Sequence, residues 1–132
     1  MNKDSLVSII ILNYNAGDLL LNCIESVQKS NYKNLEIIVV DNISSDNSQN
    51  KCKEKFPEIS LIQNNKNFGY CEGNNIGIRS ARGDFIMILN PDTIIEPDTI
   101  TELFSAYGQF GEGLYQPKIL SLDDKKIIQS TG

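Results

Sequence analysis

The sequence Gly-Asp-Phe-Ile-Met-Ile-Leu-Asn-Pro-Asp at residues 83–92 contains the pattern that decides the fold. Its apolar part, residues 85–89, has no charge and no alternation of polar and apolar side chains. That pattern predicts a strand covered on both faces, of the kind found in the middle of a parallel sheet. Pro91 has no backbone N–H and fixes its own φ angle, so strand pairing should stop there. Asn90 and Asp92 are therefore expected at the carboxyl edge of the sheet, where ligands bind in open α/β folds.

Strands and helices alternate along the first hundred residues. Strands are predicted at residues 6–12, 35–40, 59–62 and 85–89, and helices at residues 18–29, 46–56, 68–82 and 97–108. In the last helix Pro97 takes the first position and Gly108 marks the end. This order requires crossover connections, so the predicted fold class is α/β, with a mostly parallel sheet flanked by helices on both faces. Short extended segments are predicted beyond it at residues 114–115, 119–120 and 127–128.

The composition excludes several classes of function. A chain of 132 residues with 40% hydrophobic content is expected to form one domain with a real core. The net charge of −5 argues against nucleic acid as a partner, because phosphate backbones are bound by clustered Lys and Arg. The absence of histidine rules out a Ser-His-Asp triad, a Cys-His pair and an HExxH zinc motif.

The cellular location is predicted from the cysteines and the apolar stretches. The three cysteines show no CxxC spacing, which indicates a reducing compartment. The longest apolar stretch, residues 6–12, is too short to span a bilayer, and no signal-peptide pattern precedes it. A cytoplasmic protein is therefore expected.

Three polar clusters directly follow predicted strands. They are residues 13–15, 41–46 and 90–92. Two of them carry Asp and no basic cluster accompanies them, which favours a hard divalent cation, Mn²⁺ or Mg²⁺, shared with phosphate groups. Asp92 is the first candidate ligand, with a turn-forming role as the alternative. For Asp41 the alternative is a cap of the following loop. Asp84 precedes its strand, at the opposite edge, and a structural role is predicted for it.

Gly69, Gly73 and Gly77 recur every four residues in the third predicted helix. Each glycine weakens a helix by about 1 kcal/mol relative to alanine, so one face of this helix must admit a backbone or a ligand at close range. The spacing matches neither GxGxxG nor the P-loop motif. Arg79 and Arg82, on the same helix, are either phosphate contacts or solvated surface residues.

Five segments together resemble the family 2 glycosyltransferases of the GT-A fold, and most closely their rhamnosyltransferase-like members. The segments are residues 7–15, residues 35–42 with Ser44, Ser45 and Asp46, residues 67–70 with 73–77, residues 81–84 and residues 89–93. The resemblance covers nearly the whole chain. It implies inverting transfer of a sugar from a nucleotide diphosphate donor, with a divalent metal, to a saccharide or lipid-linked acceptor in polysaccharide or cell-envelope glycan synthesis.

The resemblance also implies roles for individual residues. Residues 13–15, 41 and 42 would hold the base and ribose, and residues 74 and 79 would approach the ribose or diphosphate. The implied donor-binding set is Asn13, Tyr14, Asn15, Asp41, Asn42, Asn74, Arg79 and Asn90. Asn90-Pro91-Asp92 takes the place of the Asp-x-Asp metal motif of the family, with Asn in place of its first Asp. That departure leaves Asp92 as the main metal ligand.

A second departure from the family lies in the length of the chain. Family members are usually much longer, and their acceptor site and catalytic base follow the metal motif. Forty residues follow Asp92 here, and none of their carboxylates matches the base, so no catalytic residue is assigned. The expectation is one nucleotide-sugar-binding α/β domain over residues 1–132, with the acceptor part largely absent.

Two hypotheses of function follow from this sequence. The first is an inverting glycosyltransferase, and the second is a nucleotide-sugar-binding module without turnover. A flavodoxin-like domain fits the alternation of strands and helices alone. Because missing sequence would leave part of the core exposed, self-association or peripheral adhesion to the inner face of the cell membrane is also expected.

Overall fold

The structure is a computed structural model that describes residues 5–124 and 128–130. Its strands are β1 (Val7–Asn13), β2 (Leu35–Asp41), β3 (Ser60–Gln63), β4 (Phe85–Leu89), β5 (Ile119–Leu120) and β6 (Ile128–Ser130). Its helices are α1 (Asp18–Gln28), α2 (Ser48–Lys55), α3 (Gly69–Ser80) and α4 (Thr99–Phe110). The first four strands form a parallel sheet in the order β3-β2-β1-β4, and β5 pairs with β6 in antiparallel fashion. The predicted α/β class is confirmed.

Helices cover the sheet on both faces, because β1, β2 and β3 follow one another in one direction across the sheet, whereas the connection from β3 to β4 returns in the other direction. α1, α2 and α4 pack on one face around the larger core, and α3 packs on the other. Ile9 and Ile11 of β1 point into the larger core, Ile10 points toward α3, and all three are fully buried. Burial on both faces explains why the sequence of β1 shows no alternation.

β4 lies at the edge of the described sheet, which corrects the prediction of a strand covered on both faces. Phe85, Met87 and Leu89 pack into the larger core. Ile86 and Ile88 point to the other face and are 43% and 46% exposed, because α3 packs over β1 and β2. An apolar run shows that both faces can be buried, but it does not show which element covers them. Self-association or membrane adhesion through these two exposed isoleucines stays a prediction.

α4 begins and ends two to three residues later than predicted. It starts at Thr99, because residues 96–99 first form a turn in which the Thr99 N–H donates to the Glu96 carbonyl at 3.0 Å. Pro97 therefore precedes the helix. Gly108 lies inside the helix in open space, and Gly111, with a φ of 84°, ends it. The helix thus ends at the glycine in the left-handed region.

Other differences from the predicted elements are small. The strands β1 and β2 extend to Asn13 and Asp41, which are a pair in the register rather than loop residues. Residues 114–115 form no strand. Residue 127 lies outside the described residues. Within the part of the chain that the structure describes, no helix has the length and apolar character needed to cross a membrane.

The glycine pattern of α3 is explained by close packing against the sheet. A Cβ atom on Gly73 would lie 2.5 Å from Leu12 Cδ1, and one on Gly77 would lie 2.5 Å from Ile10 Cγ2. Both distances are far below van der Waals contact, so side chains of the sheet fill the space that glycine leaves. Gly69 has a φ of 75°, which suits glycine at the start of the helix.

Candidate functional site

The carboxyl ends of β1 and β4 define the edge at which the candidate residues meet. From β1 the chain passes through α1 to β2 on one side, whereas β4 is reached through α3 and lies on the other side of β1. Such a topological switch point is where ligands bind in open α/β sheets. Asn13 pairs with Asp41, and β4 ends level with Ile11, so Asn90 follows at the same edge. The predicted convergence of Asn13, Asp41 and Asp92 on one edge is confirmed.

Asn13 and Asp41 are buried at this edge, with 0% and 2% of their surface exposed. Asn13 Nδ2 lies 2.8 Å from Asp41 Oδ1, 2.8 Å from Ser48 Oγ and 3.1 Å from Ser44 Oγ, and donates to all three. Asp41 Oδ2 accepts the Ser44 N–H at 3.0 Å, which is the capping contact considered as the alternative for this residue. Both side chains thus connect β1, β2 and the loop after β2. Their contact with a base or ribose stays a prediction.

The loop of residues 13–15 is fixed to the loop after β2, and it presents Tyr14 to solvent. The Asn15 N–H donates to Ser44 Oγ at 2.9 Å, and Asn15 Oδ1 accepts the Ser45 N–H at 2.8 Å. Asn15 has a φ of 53°, a conformation that Asn tolerates better than most residues. Tyr14 is 54% exposed, so its ring is accessible to a ligand at the sheet edge.

Asp46 and Ser48 tighten the loop after β2 further. Asp46 Oδ2 accepts the Gly17 N–H at 2.8 Å, and its Oδ1 accepts the N–H and hydroxyl of Ser48 at 3.0 and 2.6 Å. Burial raises the pKa of the Asp46 carboxyl, but the hydrogen bonds from Ser48 and Gly17 outweigh it, so the pKa is lowered. Sequence reasoning missed Ser48, whose only local signal is its position two residues after an Asp.

Asn42 links the end of β2 to the start of α3. It is 2% exposed, and its Nδ2 donates to Asn67 Oδ1 and to the Gly69 carbonyl, both at 3.1 Å. Asn42 Oδ1 accepts from Asn64 Nδ2 at 2.8 Å. All of these contacts are made inside the protein, so the structure gives Asn42 a packing role. A direct contact with the donor stays a prediction.

Asn74 and Arg79 lie in α3. Asn74 is 3% exposed, its Nδ2 donates to the Tyr70 carbonyl at 2.9 Å, and its Oδ1 has no hydrogen-bond partner within the described part of the chain. Arg79 belongs to the last turn, about 15 Å along the helix axis from Gly69. Its guanidinium pairs with Glu72 at 2.5 Å. The structure thus separates the backbone of Arg79 from the cluster at the ends of β1 and β2.

The residues after β4 form a tight turn around the carbonyl of Asn90. That oxygen accepts the Thr93 N–H at 3.1 Å, the Thr93 hydroxyl, and the Cys23 thiol at 3.6 Å. Asn90 Oδ1 accepts the Tyr70 hydroxyl at 3.3 Å. Asp92 lies within the turn, is exposed, and makes no hydrogen bond to any described residue. The turn considered as the alternative for Asp92 is therefore present, and its carboxylate is still available to a ligand.

The oxygen atoms at this turn fit a hard cation as part of a site. Among the described residues, no three His, Cys, Asp or Glu side chains lie close enough together to hold a metal ion. Asp92 and the Asn90 amide offer oxygen donors of the kind that Mn²⁺ and Mg²⁺ accept. A diphosphate would have to supply further oxygens.

Comparison with solved structures identifies the architecture as the GT-A glycosyltransferase fold. S. aureus TarS 1-349 in complex with UDP-GlcNAc has a TM-score of 0.70 at 20% identity, with 89% of this chain and 41% of that chain covered. The mannosyltransferase PcManGT from Pyrobaculum calidifontis, in complex with GDP-Man and Mn²⁺, has a TM-score of 0.70 at 21% identity, with 86% of this chain and 33% of that chain covered. The predicted fold is confirmed.

Sequence comparison gives the family. The model of Glycosyl transferase family 2 matches residues 8–126, and the chain belongs to that family. The glycosyltransferase GlyG of Streptococcus pneumoniae serotype 4 is 35% identical over 103 residues, which are 75% of this chain and 34% of GlyG. The chain thus spans about a third of the length of this relative. The family resemblance found in the sequence is confirmed.

Proposed function

We propose that this chain binds a nucleotide diphosphate sugar at the carboxyl edge of its sheet and supplies the donor-binding part of an inverting glycosyltransferase. Family membership supports sugar transfer. The nucleotide sugars bound to TarS and PcManGT support the class of donor. The observation that carries the proposal is the exposed, unpaired carboxylate of Asp92 beside the switch point between β1 and β4. The acceptor is a saccharide or a lipid-linked glycan, and the single domain spans residues 1–132.

Different residues at the edge would contact different parts of the donor. Tyr14 would place its exposed ring against the base, and the buried pair of Asn13 and Asp41 would fix the loops on either side of the base and ribose. Asp92, assisted by the amide of Asn90, would hold a divalent cation. When bound, that cation neutralises negative charge that develops on the leaving diphosphate.

Charge explains why a cation is needed. The chain carries a net charge of −5, and the segments that follow β1, β2 and β4, residues 13–17, 41–48 and 90–95, contain no Lys or Arg. A diphosphate without a cation would meet an acidic surface, whereas a shared cation makes the interaction favourable.

Calorimetry with UDP, GDP and dTDP, each in Mn²⁺ and in EDTA, tests the proposal. At least one nucleotide is expected to bind about tenfold or more tightly in Mn²⁺, a difference of about 1.4 kcal/mol. The substitution Asp92→Ala should remove that difference. Asp84→Ala is the matched control, because Asp84 lies at the opposite edge and its Oδ2 accepts the Leu6 N–H at 3.0 Å. It should lower stability and leave the metal dependence intact.

Two results would contradict the proposal. Equal affinity in Mn²⁺ and EDTA for all three nucleotides would show that no cation takes part in nucleotide binding. A full Mn²⁺ effect in Asp92→Ala would show that Asp92 is not the ligand of the cation.

A non-catalytic nucleotide-sugar-binding module is the second candidate. It is favoured by the incomplete metal site and by the absence of an assigned base among the described carboxylates. Because a positioned general base typically contributes about 10² to 10⁴ in rate, we expect this chain alone to bind donor and to transfer sugar slowly or not at all. Transfer to saccharide and lipid-linked acceptors measures this, and rapid transfer by the 132-residue chain would refute the expectation.

A further inference from the structure

One side of α1, together with the turn that follows it, is hydrogen-bonded to the segment that carries Asp92. Cys23 and Ser26 are three residues apart and so lie on one side of α1, and Ser30 lies in the turn after it. The contacts are Cys23 Sγ to the Asn90 carbonyl at 3.6 Å, the Ile95 N–H to Ser26 Oγ at 3.1 Å, and Ser30 Oγ to the Pro97 carbonyl at 3.4 Å. They hold the chain on both sides of Asp92.

The contact between Ser26 and Ile95 is the most deeply buried of the three. Ser26 is 6% exposed and Ile95 is 8% exposed. The Ser26 hydroxyl donates its proton to the Cys23 carbonyl at 2.7 Å, and its oxygen accepts the Ile95 N–H. Loss of that hydroxyl would leave a buried N–H without a hydrogen-bond partner, which is unfavourable. The segment can avoid that cost only by moving toward water.

Cys23 acts on the other end of the segment. Its side chain is fully buried, so its thiol meets the segment inside the protein and not solvent. It donates to the same Asn90 carbonyl that closes the turn with Thr93. The carbonyl therefore links α1 to the turn in which Asp92 lies.

We propose that Ser26 and Cys23 are positioning residues that hold residues 90–95 so that the Asp92 carboxylate meets the divalent cation in a fixed place. The inference rests on the proposed function, since it assigns to α1 the support of the proposed metal ligand. Groups that orient a metal ligand without touching the metal commonly change metal affinity by about 10- to 100-fold when they are removed.

Nucleotide binding by the full chain provides the test, with UDP, GDP and dTDP as probes in Mn²⁺ and in EDTA. The measured quantity is the ratio of the two dissociation constants. Ser26→Ala and Cys23→Ala should each lower this ratio by about tenfold while affinity in EDTA stays unchanged. Ser26→Thr keeps a hydroxyl and should retain most of the ratio.

Ser105→Ala is the matched control. Ser105 Oγ donates to the Thr101 carbonyl within its own helix at 3.2 Å, as Ser26 does in α1, but it is exposed and lies in α4. The substitution removes a similar hydroxyl without touching residues 90–95, and the ratio should not change.

Amide hydrogen exchange without nucleotide gives a second readout. The Ile95 amide should exchange faster in Ser26→Ala and at the wild-type rate in Ser105→Ala. Equal protection in Ser26→Ala and wild type would overturn the inference.

The outcomes separate this inference from the proposed function. If the wild-type chain shows no Mn²⁺ dependence, the proposed function fails and the positioning role fails with it. If wild type depends on Mn²⁺ and both alanine variants keep the full ratio while losing stability, α1 has a merely structural role and this inference alone is overturned. Should Ser26→Ala not fold, Cys23→Ala decides, because it keeps the Ser26–Ile95 hydrogen bond.

Discussion

Replacing Gly77 by alanine is expected to destabilise the protein, although alanine is the better helix former. A Cβ atom at position 77 would lie 2.5 Å from Ile10 Cγ2 and 3.0 Å from Val40 Cγ2. Favourable carbon–carbon contacts lie at about 3.5–4.0 Å, so the nearer atom is about 1 Å too close. Ile10 and Val40 are 0% exposed, and Cγ2 is attached directly to Cβ in each, so neither methyl group can turn away without moving its strand.

The expected size follows from two opposing terms. The change from glycine to alanine in a helix contributes about 1 kcal/mol in favour of the folded state. Overpacking of a filled core costs about 1–3 kcal/mol. The expected net loss for Gly77→Ala is therefore about 1 kcal/mol. Gly73→Ala should cost less, because the atom nearest its Cβ is the flexible end of Leu12.

Urea denaturation followed by circular dichroism measures these changes, with Gly108→Ala as the control. Gly108 also lies inside a helix, and nothing lies within 4 Å of its Cβ position, so alanine there should stabilise by up to about 1 kcal/mol. Equal slopes in urea would make the midpoints directly comparable. If Gly77→Ala proves as stabilising as Gly108→Ala, α3 does not pack closely on β1 and β2.

Two further predictions concern the cysteines and the amino edge of the sheet. Cys71 is exposed, whereas burial raises the pKa of the Cys23 thiol to about 12. Iodoacetamide at pH 8 should therefore modify one thiol in the native protein and three in denaturant. Modification of all three thiols at one rate would contradict the burial. Burial raises the pKa of Glu36, but hydrogen bonds from Ser8 and Arg82 outweigh it and hold the pKa below its ordinary 4.5. The resulting stability is present above pH 4.5 and lost as pH falls through the folded pKa. Urea denaturation at several pH values measures this: at pH 7 the free energy of unfolding of Glu36→Gln should be about 1–3 kcal/mol below that of wild type. The difference should become smaller below pH 4.5, and a difference that does not change with pH would refute this prediction.

The alternation of strands and helices could be read from the sequence because it depends on local patterns. Apolar runs of β-branched residues that end in polar residues predict strands, and helical spacing after Asp18 predicts α1. The carboxyl ends of parallel strands meet at one edge, so the sequence also determined that Asn13, Asp41 and Asp92 would lie at that edge. The glycine spacing of α3 likewise predicted that this helix has a close contact on one face.

The tertiary structure decided which neighbour each residue has. β4 lies at the sheet edge and leaves Ile86 half exposed, because exposure depends on where α3 packs and not on the apolar run itself. Asn42 is held by Asn67 and Asn64, 25 and 22 residues away, so its packing role has no local signal.

The contacts from α1 to the segment after β4 show the same dependence over a longer distance. Ser26 and Ile95 are 69 residues apart in the chain, and nothing in either local pattern identifies the other. A serine inside an amphipathic helix has the local signature of a tolerated polar residue. It becomes a support for the Asp92 turn only because the parallel sheet places α1 beneath the chain that leaves β4. Local chemistry therefore determined the candidate ligand, and long-range packing determined what holds it in place.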